Sequence, residues 1–387
     1  MRDMSNKAQK RDLVLYLLGL YLVLKPFYFW RSAIPQVSDF IIIAMVVVYL
    51  FKNRFRVDFH RKSMKVLILS FTFFIYILTV NSLWNIILFN RIDVIRISFY
   101  YIYNCLVLLF IIILGRAYAD LNAFVYRSIA FSVFLQVFFF FYLGGFSGSR
   151  AIAFFNNPNQ LGYHGLLCCS LLIILFNNKI NNSLTFVVSL LLSSLLIFVS
   201  LSKAAIISLF FELIGLLFLV RLRTKLKYRI LIIYFIIVFL IIFSFFLDEL
   251  LYNNLLFNSV FQRLSSIGVD EDDSLAGRGY NRLLEYSDYL FFGIGEGAYF
   301  RFTPPGEFHS TIGNILLSYG FIGLLLFMIL IWSLFQHGKA IEIICLISIF
   351  AYGLTHNGIR NTFFWILLAL VYVNNNPYSA NVRKMKI

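Results

Sequence analysis

Long runs of Leu, Ile, Val and Phe alternate with short polar connectors along almost the whole chain, and the runs lack turn signals. Uninterrupted apolar stretches of about 17–25 residues read as membrane-spanning helices. The pattern predicts about twelve of them, over residues 12–30, 34–51, 65–84, 97–115, 121–143, 159–176, 184–201, 203–220, 230–247, 309–333, 339–355 and 359–373. The joins at 30–34, 201–203 and 355–359 are tight hairpins. One connector breaks the rule of brevity. Residues 248–308 form a large loop between the ninth and tenth spans, within which Gly279 to Phe292 reads as a short amphipathic helix. On that helix Arg278, Arg282 and Glu285 share a face. The expectation is an all-α polytopic membrane protein, one membrane domain over 1–387 with its large loop at 248–308.

Composition removes the alternative of a soluble fold. Apolar and aromatic residues make up 61% of the 387-residue chain and charged residues only 13%, too few to cover a soluble surface. The basic N-terminal arm leads straight into an apolar run without a small-residue cleavage site, so it reads as an uncleaved first helix with Phe27 to Trp30 as its interface anchor. Cys105, Cys168, Cys169 and Cys345 all fall inside apolar runs and read as core residues without chemistry.

The net charge of +15 sorts by topology. With the N-terminus inside, 22 of the 33 Lys and Arg residues fall on the inner side, and an even number of spans returns the C-terminus there as well. No basic strip interleaved with aromatics suggests nucleic acid. The cations left on the outer side are Lys25, Arg31, Arg91, Arg96, Arg150, Lys203, Arg263, Arg278, Arg282, Arg301 and Arg360. Arginine predominates, and its planar fork suits phosphate. The outer face therefore reads as a place for an anion.

Several short segments carry candidate chemistry there. Arg150 precedes Asn157-Pro-Asn159, a turn into a helix whose asparagines serve as caps. Ser200-Leu-Ser-Lys203 leaves a lysine at the membrane surface, either snorkelling or lining a polar cavity. Glu212 falls mid-membrane and reads as a helix-pairing acid. His309 stands at a helix entrance, where an imidazole either caps or accepts a proton. The hairpin Thr355-His-Asn-Gly-Ile-Arg-Asn361 adds His356 and Arg360. The run Gly293-Ile-Gly-Glu-Gly297 follows no strand and is a poor nucleotide fingerprint. Asp270-Glu-Asp-Asp273 fails the calcium-loop template and reads as a solvated acidic turn, so no metal site is expected.

Taken in order, Arg150 with Phe154-Phe-Asn-Asn-Pro-Asn159, Leu201-Ser-Lys203, Gly277-Arg278, Gly293-Ile-Gly295 and His309-Ser310 with Gly320 and Gly323 resemble the O-antigen polymerase and O-antigen ligase family of bacterial membrane glycosyltransferases. The resemblance implies a GT-C-like enzyme of the inner membrane with its active site facing the periplasm. It implies transfer of a glycan from undecaprenyl pyrophosphate to a sugar hydroxyl, with no nucleotide-sugar or other cofactor. Carried over, His309 and Arg278 are the catalytic pair. Arg150, Lys203, Arg282 and Arg360 are expected on the pyrophosphate, and Asn157, Asn159 and His356 on glycan. Lys203 stands where the family usually has arginine. The Asn-Pro-Asn segment and the last hairpin favour a polymerase, with a chain-length regulator as an implied partner besides membrane lipids. A ligase acting on the lipid A core and a transporter of lipid-linked oligosaccharide are the alternatives.

Overall fold

The computed structural model describes residues 12–30, 34–55, 61–89, 92–147, 150–177, 183–221, 260, 262–266, 274–303 and 305–376. The expected ninth span, the acidic turn at Asp270 to Asp273, and Arg31 and Arg91 lie outside them.

The chain is a helical bundle: α1 (Leu13–Leu24), α2 (Val37–Lys52), α3 (Arg61–Ile87), α4 (Ile92–Ala117), α5 (Leu121–Leu143), α6 (Pro158–Asn177), α7 (Ser183–Ser200), α8 (Lys203–Arg221), α9 (Thr311–Phe335), α10 (Ala340–Gly353) and α11 (Thr362–Asn375). A two-residue hairpin, Phe146–Ser147 on Arg150–Ala151, joins α5 to α6. Among the described residues five helices are long and apolar enough to cross a membrane, namely α3, α4, α5, α6 and α9. Apolar helices at Leu13–Leu24, Leu184–Ser200, Ala340–Gly353 and Thr362–Asn375 are shorter. The protein is thus polytopic. Its lipid-facing residues include a stripe of Phe131, Phe134, Phe138 and Phe141 along α5.

Helix α11 is the centre of the bundle. Every residue from Thr362 to Val373 is buried, as expected of a helix apolar on all sides. Helices α4, α6 and α9 pack around it. Between α6 and α7 the approach is close because a Cβ on Gly165 would stand 2.9 Å from the Ser193 carbonyl oxygen, the small-residue packing that brings membrane helices together. Glu212 of α8 fulfils its expected pairing role. Its carboxyl accepts from Ser170 of α6 (3.0 Å) and from Cys345 (3.3 Å) and Ser348 (3.4 Å) of α10. Glu212→Ala strands those donors in the bundle, and we expect a loss of about 1–2 kcal/mol, read as a lower melting temperature of the detergent-solubilised protein.

Helix α9 is broken. Gly320 adopts φ 66°, ψ −172° in its middle, which an L side chain would resist. The connector ahead of α9 fills the break. Ile294 N donates to the Leu317 carbonyl (3.1 Å), Gly295 N donates to the Ser318 carbonyl (2.8 Å), and Phe321 N donates to the Leu290 carbonyl (2.7 Å). Backbone groups freed by the break are thereby satisfied, the condition for interrupting a helix in a membrane bundle. Gly293 is required because a Cβ there would lie 2.3 Å from the Ser318 carbonyl oxygen. The glycine run thus serves close backbone packing.

The amphipathic helix expected within Gly279 to Phe292 is cut short. Only Arg282–Glu285 is α-helical, followed by a 3₁₀ turn at Ser287–Tyr289. Gly279 and Gly293 both take positive φ. Phe302, Phe308, Ile294 and Leu317 form a small core against which Tyr280 and Tyr286 pack, while Phe291 and Phe292 stay exposed. Packing on that core overrides the helical period.

Candidate active site

The cations expected on one face fall into two groups. Those of the first group have partners that cancel or bury their charge. Lys25 pairs with Asp39 (2.5 Å). Arg282 is only 4% exposed, donates to the Gly306 carbonyl (2.8 Å) and lies over the Phe302 ring. Arg301 donates to the Gly295 carbonyl (2.6 Å) and lies over Trp84. Arg360 bridges two carboxylates, Glu296 and Glu307, and donates to the Tyr299 hydroxyl (2.6 Å). The sequence assigned Arg282 and Arg360 to pyrophosphate; in the structure both are committed within the protein. Neither commitment was legible, because the acids and aromatics involved are remote in sequence or sit in an apparently solvated loop.

The second group makes hydrogen bonds to backbone and amide oxygens around the entrances of α6 and α8 and the turn after α10. Arg150 Nε donates to the Ser200 carbonyl (3.1 Å) and Nη2 to Asn159 Oδ1 (2.7 Å). Neither bond cancels its charge. Burial first, and then the like charge of Arg263, hold its pKa below the ordinary arginine value. Lys203, 8% exposed, opens α8 and donates to the Ser266 carbonyl (3.2 Å). It is buried and bonded to the 262–266 segment. Arg278 Nη1 donates to the Thr355 carbonyl (3.1 Å). Arg150 and Arg278 are remote in sequence, yet both lead to Tyr352: Asn159, which holds Arg150, also accepts from its hydroxyl, and Thr355, which holds Arg278, donates its backbone N to the Tyr352 carbonyl (3.2 Å). That hydroxyl donates to the Asn159 carbonyl (3.0 Å). The N-terminal ends of α6 and α8 add their partial positive charge to the same place.

Asn157 caps, as its bland reading expected: its Oδ1 accepts from Asn159 N (2.7 Å). Asn159 has a second task, since its side chain orients Arg150. His356 stacks on Tyr352 with ring centroids 4.8 Å apart, and Tyr352 stacks on Tyr163 at 4.3 Å. His309 is exposed. The helix cap of α9 falls to its neighbour Ser310, whose hydroxyl accepts from Gly313 N (3.1 Å). His309 N donates to the Arg278 carbonyl (3.1 Å), so the two residues are backbone neighbours.

The residues that sequence reasoning missed are Glu296, Glu307 and Tyr352. Glu296 is 1% exposed. It accepts from Tyr101 (2.7 Å), Tyr319 (2.8 Å), Asn314 (2.8 Å) and Arg360. Burial opposes its charge, but Arg360 and the tyrosine hydroxyls prevail and hold its pKa below the ordinary carboxylate value. An acid inside a glycine run was the one available signal.

Residues 188–328 match the family model described as O-antigen ligase. This domain of similarity to the O-antigen ligase and polymerase family covers part of the chain. The domain includes Lys203, Arg263, Arg278, Glu296 and His309. Arg150, Tyr352 and the 354–361 hairpin reach it from outside the matched residues. The comparison with curated proteins gives no match. Proteins of that family are glycosyltransferase-like membrane enzymes of O-antigen ligase and polymerase type, and the long apolar helices here fit a multi-pass membrane protein.

Proposed function

We propose that this protein polymerises oligosaccharide repeat units carried on undecaprenyl pyrophosphate, at the periplasmic face of the inner membrane, with both termini cytoplasmic. The observation that carries the reading is that Arg150, through Asn159, and Arg278, through Thr355, are both tied to the end of α10 at Tyr352, with His309 joined to Arg278 through the backbone. Two arginines brought to one place create a field that a diphosphate would complement.

The chemistry follows from the charges. The bond between the anomeric carbon and the diphosphate oxygen breaks, and negative charge grows on the departing lipid diphosphate. Arg150, Arg278 and Lys203 stabilise that charge where little water competes. The acceptor hydroxyl oxygen bonds to the anomeric carbon, and its proton passes to His309. Attack from the side opposite the leaving group inverts the anomeric centre. His356, stacked on Tyr352 beside Arg278, fits contact with glycan.

Polymerase and ligase share this chemistry and differ in acceptor. Deletion of the gene separates them on a glycan gel. A polymerase leaves a surface glycan of single repeats. Unattached long chains identify a ligase, and repeats trapped on the inner leaflet identify a transporter; either result overturns the polymerase reading.

A further inference from the structure

The two groups thought to perform the transfer are anchored to one hairpin. Residues 354–361, between α10 and α11, offer the Thr355 carbonyl to Arg278 and the Leu354 carbonyl to Tyr280 (2.5 Å). The entrance of α9 is bonded to the same turn. Ser310 donates to the Gly353 carbonyl (3.2 Å), Thr311 donates to the His356 carbonyl (3.1 Å), and Gly358 N donates back to Thr311 Oγ1 (3.0 Å). Where this hairpin sits therefore decides where Arg278 and the backbone of His309 sit.

The hairpin is in turn fixed from below. Arg360 binds Glu296, and Asn357 Nδ2 lies 3.5 Å from the same carboxylate oxygen. Glu296 is itself fastened to three helices. Its backbone N donates to Asn81 of α3 (2.9 Å), Tyr101 of α4 donates to its side chain, and Asn314 and Tyr319 of α9 do likewise. The network is continuous through Asn81, which donates to Ser98 (2.9 Å) and lies 3.3 Å from Tyr319 Oη. Such a satisfied buried network holds one geometry.

We infer that Glu296 is a positioning residue for glycosyl transfer: through Arg360 it fixes the 354–361 hairpin, and through the hairpin it sets Arg278 and the loop that bears His309. The inference rests on the proposed transfer chemistry for its consequence in turnover. It predicts an uneven effect on the kinetic constants. Arg150 and Lys203 are anchored to Ser200, Asn159 and Ser266, none of them in the hairpin, so two of the three cations proposed for the donor keep their anchors while the reacting geometry is lost.

The test uses the full-length protein in nanodiscs with a lipid-diphosphate-linked repeat unit, comparing wild type, Glu296→Gln and the double variant Glu296→Gln/Arg360→Gln. Removing one charge of a buried pair is costly, whereas removing both together is mild, and Glu307 is exposed enough to stay solvated. The double variant therefore melts near wild type even where the single one does not. We expect kcat to fall at least about tenfold in both variants with donor KM within about threefold. Amide hydrogen exchange should quicken in 305–311 and 354–361. A wild-type kcat in either variant, or unchanged exchange in those two segments, overturns the inference. If exchange quickens while the wild-type protein fails to transfer from the lipid diphosphate, the functional reading falls and the positioning of the hairpin stands.

Discussion

Arg278→Ala lowers transfer from the lipid diphosphate by about a hundredfold to a thousandfold, the usual cost of removing one donor aimed at developing negative charge. His309→Ala falls in the same range or lower, as general bases contribute about a hundredfold or more. Arg278→Lys separates charge from geometry: it keeps the cation but loses the fork that reaches the Thr355 carbonyl while facing the substrate. Recovery should be partial. Polymerising activity within about threefold of wild type in both alanine variants would remove these residues from the mechanism.

Gly293→Val is the substitution with the largest expected cost to folding. A Cβ at this position would stand 2.3 Å from the Ser318 carbonyl oxygen and 2.5 Å from Tyr319 Cα, and the residue has φ 89°. Left-handed backbone costs about 1–2 kcal/mol for an L residue, and forcing atoms into packed backbone adds about 1–3 kcal/mol. The chain relieves the clash by withdrawing the connector from the break in α9. Trp84 then loses its bond to the Gly293 carbonyl (3.0 Å) and Tyr76 its bond to the Phe292 carbonyl (3.0 Å). We expect a melting temperature well below wild type together with lost activity. Gly144→Ala is the matched control, because nothing lies within 4 Å of a Cβ built there although φ is also positive. Equal losses in the two variants would show that close packing at Gly293 is not the cause.

Much of the bundle was legible because period and length suffice to mark apolar helices. Helices α5 and α6 begin and end within a residue or two of their expected bounds. The break in α9 was not legible. Gly320 sits in an unbroken apolar run, and only the connector passing beside it explains the interruption. At the candidate site, Arg150, Lys203 and Arg278 were found by an argument about charge on one side of the membrane. The same argument also collected Lys25, Arg282 and Arg360. What separates the two sets is the partner each one meets, and Asp39, Phe302, Glu296 and Glu307 are brought to them by folding alone. A single sequence shows which charges exist, and tertiary contact decides what each of them meets.

The interruption of α9 also constrains biogenesis. The strand that fills it is anchored by Tyr76 and Trp84, made early in synthesis, and by Leu317 and Ser318, made late. Its deepest acid also needs Arg360, which emerges just before the final helix. No nascent chain released before α11 can therefore complete that end of the molecule. A truncated product could insert its first helices into the bilayer, yet it would offer a lipid-linked glycan no finished catalytic surface.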